Sequence, residues 1–232
     1  MTKDSPTKPA LWRRLMRWLR LALFVLVALM AGVIALYAVI PIPATPYMLS
    51  EKSRLGEIRY DWRDMDQIAP VMARAAVAAE DANYCNHWGF DIDALRDAID
   101  GGLRRGGSTI SQQVVKNVFL WQGRSWPRKA LEALLTPAVE LAWSKERILE
   151  VYLNVAEFDE GVFGVGAAGP WYFGVQADGL SPGQAARLAV VLPNPKNRSA
   201  RNPSASLARK AERVADGAAT IRRDGRAACF GG

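Results

Sequence analysis

The run Gly106-Gly107-Ser108-Thr109-Ile110-Ser111-Gln112-Gln113-Val114-Val115-Lys116-Asn117 sets the reading of the whole chain. Entered as a helix from a glycine-led loop, it places Thr109, Gln112, Gln113 and Lys116 at i, i+3, i+4 and i+7, on one face. Ile110, Val114 and Val118 then share another face and point to a core. The result is a polar stripe ending in a cation, behind a loop whose glycines let a ligand approach the backbone, a pattern suited to a sugar diphosphate. The plainer reading is an amphipathic helix with one solvated side.

Outward from this run, helical patterns dominate. Pro70 suits the first turn of a helix reaching about Asp81, with Ile68 placed to pack back on it and Val71, Met72, Ala75, Ala78 and Ala79 on its buried side. Further helices are predicted at Ile92 to Leu103, Thr109 to Leu120, Pro127 to Thr136, Ala138 to Asn154 and Pro182 to Val191, with Pro137 breaking or kinking the long apolar stretch. The five glycines between Gly161 and Gly174 predict a loop against the site, and the Ala-, Arg- and Ser-rich tail after Asn202 carries no pattern to read. The balance is a mainly α domain.

At 232 residues the chain can bury one full core, and a hydrophobic share of 50% excludes a disordered protein. The net charge is +7, but residues 1–20 hold six Lys or Arg against Asp4 alone, so five charges sit there and the other 212 residues carry only +2. A basic balance so placed gives no case for nucleic acid. From Leu21 to Ile40 every residue is apolar or glycine, about enough to cross a bilayer. Arg13, Arg14, Arg17 and Arg20 precede it, which keeps that end cytoplasmic and exports the rest. A cleavable signal peptide is the competing reading, though the run is long for one and no small-x-small site follows. The expected organisation is a cytoplasmic tail (1–20), an anchor (21–40), a Pro-containing linker with a small strand pair (41–64) and a domain (65–232). Cys85 and Cys229 can form a disulfide after export, but sequence does not show that they meet. With His87 as the sole histidine, a structural zinc site lacks ligands.

Three more segments carry candidate chemistry. Glu80 and Asp81 end a helix, where the dipole disfavours negative charge, and Tyr84, His87, Trp88, Gly89, Phe90 and Asp91 follow. That is the setting of a tuned acid or base, or else of surface acids at a fraying terminus. Pro127-Arg128-Lys129 with Glu132 opens a helix as an anion clamp, or as an ordinary i, i+4 ion pair. Trp143 to Asn154 has helix-core spacing at Ile148, Leu149 and Tyr152 and reads as structure.

Together these strings resemble the peptidoglycan glycosyltransferases, most closely their short monofunctional membrane-anchored members. The matching strings are Glu80-Asp81 with His87-x-Gly89-Phe90-Asp91, Gly107 to Gln113 with Lys116-Asn117, Arg128-Lys129-x-x-Glu132, and Lys145-x-x-Ile148-Leu149-Glu150-x-Tyr152-Leu153-Asn154, in the family's order over roughly residues 65–200. The resemblance implies a lysozyme-like, mainly helical fold with a small membrane-touching lobe. It also implies polymerisation of lipid II, a disaccharide-pentapeptide on undecaprenyl diphosphate, into β-1,4 glycan. By matching position, Glu80 would be the general base, and Lys116 and Arg128 would hold the donor diphosphate. Glu132, the second catalytic carboxylate, would organise that region or hold a divalent cation, magnesium or manganese. Thr109, Gln113 and Asn117 would line the donor side, with Asp81, His87, Gln112 and Lys129 completing the substrate-binding set. Implied partners are lipid II, the growing glycan strand, the membrane and other cell-wall synthesis proteins. The implied location is the bacterial inner membrane, with the catalytic domain periplasmic.

The chain departs from the family at three places. Gly166 stands where Glu is usual, Trp171 where a basic residue is usual, and Val175 where a basic residue often follows. A glycan-cleaving lysozyme-like enzyme would also use a carboxylate among aromatics, but has little use for Lys116 and Arg128. An inactive anchored scaffold fits the departures, while retention of Glu80 and Glu132 argues against it.

Overall fold

The computed structural model describes residues 8–93, 95 and 96, 107–123 and 125–231. It divides into two units, Met1–Ile40 and Pro41–Gly232. In the first, helix α1 (Lys8–Tyr37) includes the span Leu11–Tyr37, 27 residues that hold an 18-residue window of mean hydropathy 2.6, long and apolar enough to cross a membrane.

The second unit is mainly helical. Helix α2 (Pro46–Leu55) opens it, with Thr45 as N-cap accepting from the Met48 amide at 3.2 Å. Met48 is fully buried and Glu51 nearly so, so residues 46–55 belong to the domain and are not the expected linker. Strand β1 (Arg59–Tyr60) follows and pairs in parallel with β3 (Val162–Phe163), which pairs antiparallel with β2 (Glu157–Asp159). The sheet order β1-β3-β2 therefore joins the start of the domain to its middle.

Helix α3 (Pro70–Glu80) packs with α8 (Pro182–Val191) and α9 (Ala205–Arg223). Its Met72, Ala75, Ala76 and Val77 are buried, while Val71, Ala78 and Ala79 of the expected side are only partly so; Ile68, just before it, is buried. The predicted bounds of α8 hold, and Ser181 with Gln184 forms its capping box. Helix α9 lies in the tail that offered no sequence signal. Yet Leu207, Ala211, Val214, Ala218 and Ile221 form its buried stripe at alternating spacings of four and three. A methyl group on Gly217 would stand 3.2 Å from the Ala78 Cβ, so glycine there lets α9 approach α3 closely.

Helix α4 (Ile110–Phe119) is the quoted run; Ile110, Val114 and Val118 are buried, as its spacing predicts. It packs on α5 (Trp126–Ala142) and α6 (Lys145–Val155). Pro137 does not break α5. Proline removes one backbone donor, but the helix continues through it and Thr136 donates its hydroxyl to the Glu132 carbonyl at 2.7 Å. The break falls instead at Trp143-Ser144, where Ser144 caps α6 through the Arg147 amide. Buried Glu140 is held there by Lys145 at 2.7 Å and by the Ser111 hydroxyl at 2.5 Å.

The glycine-rich stretch is not a loop either: it forms β3 and helix α7 (Val165–Phe173). Its glycines serve close packing. A Cβ at Gly164 would lie 2.6 Å from the Asn154 carbonyl oxygen, and one at Gly166 would lie 2.2 Å from that of Asp61. Asn154, fully buried on α6, accepts from the Arg63 amide and donates to the Arg63 carbonyl, pinning the chain after β1. The predicted helix at Ile92 to Leu103 is helical at 92, 93, 95 and 96; its remaining residues, like Gly106, lie outside the described residues.

Candidate active site

The site grows from the end of α3. Glu80 is its last residue and accepts from Gln113 Nε2 of α4 at 3.0 Å. Gln113 in turn accepts from the Tyr152 hydroxyl of α6 at 3.4 Å, a contact that orients its amide. Burial pushes the Glu80 carboxyl above its ordinary value; the Gln113 hydrogen bond and the charges of Lys210, Arg198 and Lys116 pull it partly back. The cause is desolvation, where sequence alone suggested the helix dipole.

Asp81 turns away from Glu80. Its Oδ2 accepts from the Ile110 amide at 2.9 Å, at the first turn of α4, and its Oδ1 meets His87 Nε2 at 2.8 Å. Thr109 donates its hydroxyl to the Gly89 carbonyl at 2.7 Å and accepts from the Gln112 amide, while the Gln112 side chain accepts from the Thr109 amide at 3.0 Å. This is a capping box. Thr109 and Gln112 thus spend polar groups on the cap, though Gln112 still lines a cavity with Gln113 and Lys116, and Thr109 lines one with Glu80. The segment from Asp81 to Gly89 is thereby stitched to the start of α4.

Two cavities meet at Gln113 and Lys116. One, about 440 Å³, has Arg128, Lys129, Glu132 and Ser108 on its far side. There Arg128 Nη1 binds Glu132 Oε2 at 2.6 Å, Arg128 Nε donates to the Gly123 carbonyl at 2.8 Å, and Lys129 pairs with the other Glu132 oxygen. Ser125 caps this helix start. Arg128 and Glu132 are buried, while Lys129 is partly open. Both Glu132 oxygens are paired with cations, Arg128 and Lys129, which leaves neither free for a divalent metal. Asp81, His87 and Asp91 also bring ligand-type atoms within 4.8 Å of one another, but the Asp81 oxygens are engaged as described and Asp91 accepts from Asn83 at 3.0 Å.

The second cavity, about 280 Å³, has Asn117 beside Lys116 and, opposite, Tyr47 of α2, Glu157 of β2, and Lys196 and Asn197. Tyr47 donates to Glu157 at 2.6 Å and Lys196 pairs with Glu51 at 2.9 Å. This wall went unseen in the sequence because Tyr47 lay in the supposed linker; Pro193-Asn194-Pro195 was the turn signal that could have found the rest. Among the described residues Lys116 has no ion-pair partner within 4 Å. Burial lowers the affinity of its amine for a proton, against the attraction of Glu132 and Glu80. A half-buried, uncommitted ammonium between two cavities suits a ligand anion.

Two of the three departures lie elsewhere, and Val175 lines neither cavity at Lys116. Gly166 and Trp171 line a separate groove with Arg59 and Asp61, and share no lining residue with the cavities at Lys116. The Arg59 guanidinium lies 4.9 Å over the Trp171 ring, and Arg201 donates to the Trp171 and Tyr172 carbonyls.

Glu80, partly buried and with raised proton affinity, is bonded to Gln113 of the helix that carries Lys116 into both cavities, and itself lines a third, about 120 Å³, with Ser108 and Thr109; the helical domain thus gathers one candidate base and several cations. Comparison with known proteins gives the family. The transglycosylase family model matches residues 49–219, and the chain belongs to that family. It is 61% identical over 214 residues to a biosynthetic peptidoglycan transglycosylase of Jannaschia sp. (strain CCS1), covering 92% of this chain and 90% of the relative. Proteins of the same name from Caulobacter vibrioides and Shigella sonnei are 46% and 48% identical over 222 and 200 residues. These cover 94% and 81% of this chain, and 97% and 83% of the relatives.

Proposed function

We propose that this peptidoglycan transglycosylase polymerises lipid II into β-1,4 glycan, with Glu80 as base and Lys116, Arg128 and Lys129 on the donor diphosphate. Glu80 takes the proton from the acceptor sugar's 4-hydroxyl as that oxygen bonds to the donor's anomeric carbon. The bond from that carbon to the diphosphate breaks, and undecaprenyl diphosphate leaves. Attack opposite an α-linked leaving group gives the β linkage. No acid is needed at the leaving group, because cations already in place stabilise its charge. The observation that carries this reading is the pair of cavities sharing Gln113 and Lys116, with Glu80 bonded to Gln113.

The setting agrees. Exposed Trp126, Leu134 and Leu141 on α5, with exposed Trp121 just before it in sequence, suit a lobe that touches the membrane holding the lipid substrate. The basic residues before the apolar run from Leu21 favour a cytoplasmic N-terminus and an exported domain, and a disulfide between Cys85 and Cys229 suits the oxidising periplasm. The test is detergent-solubilised protein with labelled lipid II, products resolved by size. Polymer together with free undecaprenyl diphosphate is the expected result. No polymer from folded protein would leave the scaffold reading, and soluble fragments cut from finished glycan would favour the hydrolase.

A further inference from the structure

Cys85 sits between the carboxylates at the end of α3 and the turn at His87, and the proposed reaction makes no use of it. Its sulfur is bonded to that of Cys229, 144 residues on. The link has company. The Phe230 ring packs against Tyr84 with centroids 6.1 Å apart, both rings buried, and Arg226 Nη1 donates to the Ala82 carbonyl at 3.2 Å. On the other side, Tyr84 donates its hydroxyl to the Lys145 carbonyl at 2.7 Å, and the Lys145 ammonium lies 4.6 Å over the Tyr84 ring. Between these contacts Ala82, Asn83 and Asn86 are exposed, and the segment's only regular structure is one 3-10 turn, Tyr84–Asn86.

We propose that the Cys85–Cys229 disulfide, helped by Arg226 and Phe230, is a positioning device for the transfer reaction. It fixes the segment leaving Glu80, so that the carboxylate stays on Gln113 and the Asp81–His87 pair stays on the first turn of α4. The proposal rests on the reading of Glu80 as the base. Its physical basis is that a covalent tie removes freedom which single hydrogen bonds and ring contacts leave to a largely irregular segment, and that a displacement of about 1 Å at a catalytic group costs about a hundredfold in rate.

The test compares wild type, the double variant Cys85→Ala/Cys229→Ala, wild type reduced with a phosphine, and Glu80→Gln. All are assayed on lipid II in detergent well below their unfolding temperatures. The expected result is that the double variant and the reduced enzyme keep their helical circular dichroism but lose about tenfold to a hundredfold in kcat, with KM for lipid II within about twofold. Oxidised glutathione, which accepts two electrons and the two thiol protons, should restore the reduced enzyme. Unchanged kcat with only a lower unfolding temperature overturns the proposal, as does loss of fold in both forms, since the link then serves the fold alone. Wild-type turnover by Glu80→Gln would instead overturn the base assignment, whatever the cysteine variants do.

Discussion

Replacing Thr109 by alanine separates a cap from a substrate contact. The Thr109 hydroxyl accepts from the Gln112 amide and donates to the Gly89 carbonyl, in a side chain that is 3% exposed. Losing an N-cap costs about 1 kcal/mol. Leaving the Gly89 carbonyl without its donor costs about 1 kcal/mol more. For a domain of this size, a total of about 2 kcal/mol lowers Tm by roughly 4–8 °C. Thr109→Ser keeps the hydroxyl and should lose a small part of that. Thermal unfolding in detergent, paired with lipid II turnover per folded molecule at low temperature, gives both readouts. The expected pattern is a clear fall in Tm for alanine with a rate within about fivefold of wild type. An unchanged Tm with turnover abolished would refute the reasoning and return Thr109 to the substrate wall.

Lys116→Met removes a cation that burial already disfavours, so Tm should hold or rise while turnover falls about a hundredfold or more; a lower Tm at normal rate would contradict this. The pH profile of kcat/KM should rise above the usual carboxylate range as Glu80 ionises, and fall below the usual lysine range as Lys116 loses its charge. Because burial raises the Glu80 pKa, its contribution to stability is present below the ordinary glutamate range and lost as pH rises through the raised value. Glu80→Gln should therefore raise Tm near about pH 8 and not near about pH 4; no difference between the two would remove the burial argument. Gly166→Ala should destabilise by about 1–3 kcal/mol, since its Cβ would lie 2.2 Å from the Asp61 oxygen. An unchanged unfolding curve would show that the Asp61 backbone yields freely.

The helices around the site were legible where a core stripe coincided with a terminal signal. Pro70 and Pro182 open α3 and α8 where expected, and the valines of α4 face inward as their spacing requires. What failed did so for tertiary reasons. Pro137 was read by its missing donor, but a helix packed along its length tolerates one lost bond, and the capping chemistry of Ser144 decided the break. The glycines from Gly161 to Gly174 signalled flexibility in sequence, yet Gly164 and Gly166 are there because other backbones press against them. Helix α9 was missed because alanine makes a weak stripe in a basic sequence. In the site, residue types were legible and their division of labour was not. Periodicity put Thr109 beside Lys116, and only the fold shows Thr109 also serving as a cap and lining a different cavity from Lys116. The wall formed by Tyr47, Glu157 and Lys196 comes from three distant segments that no local pattern joins.

The account turns on Glu80. Its most direct test is the single-turnover rate of lipid II coupling by folded Glu80→Gln against wild type, with lipid II binding measured on the same preparations. The account predicts near-normal binding and a rate at least about a hundredfold lower. Coupling at the wild-type rate would contradict it.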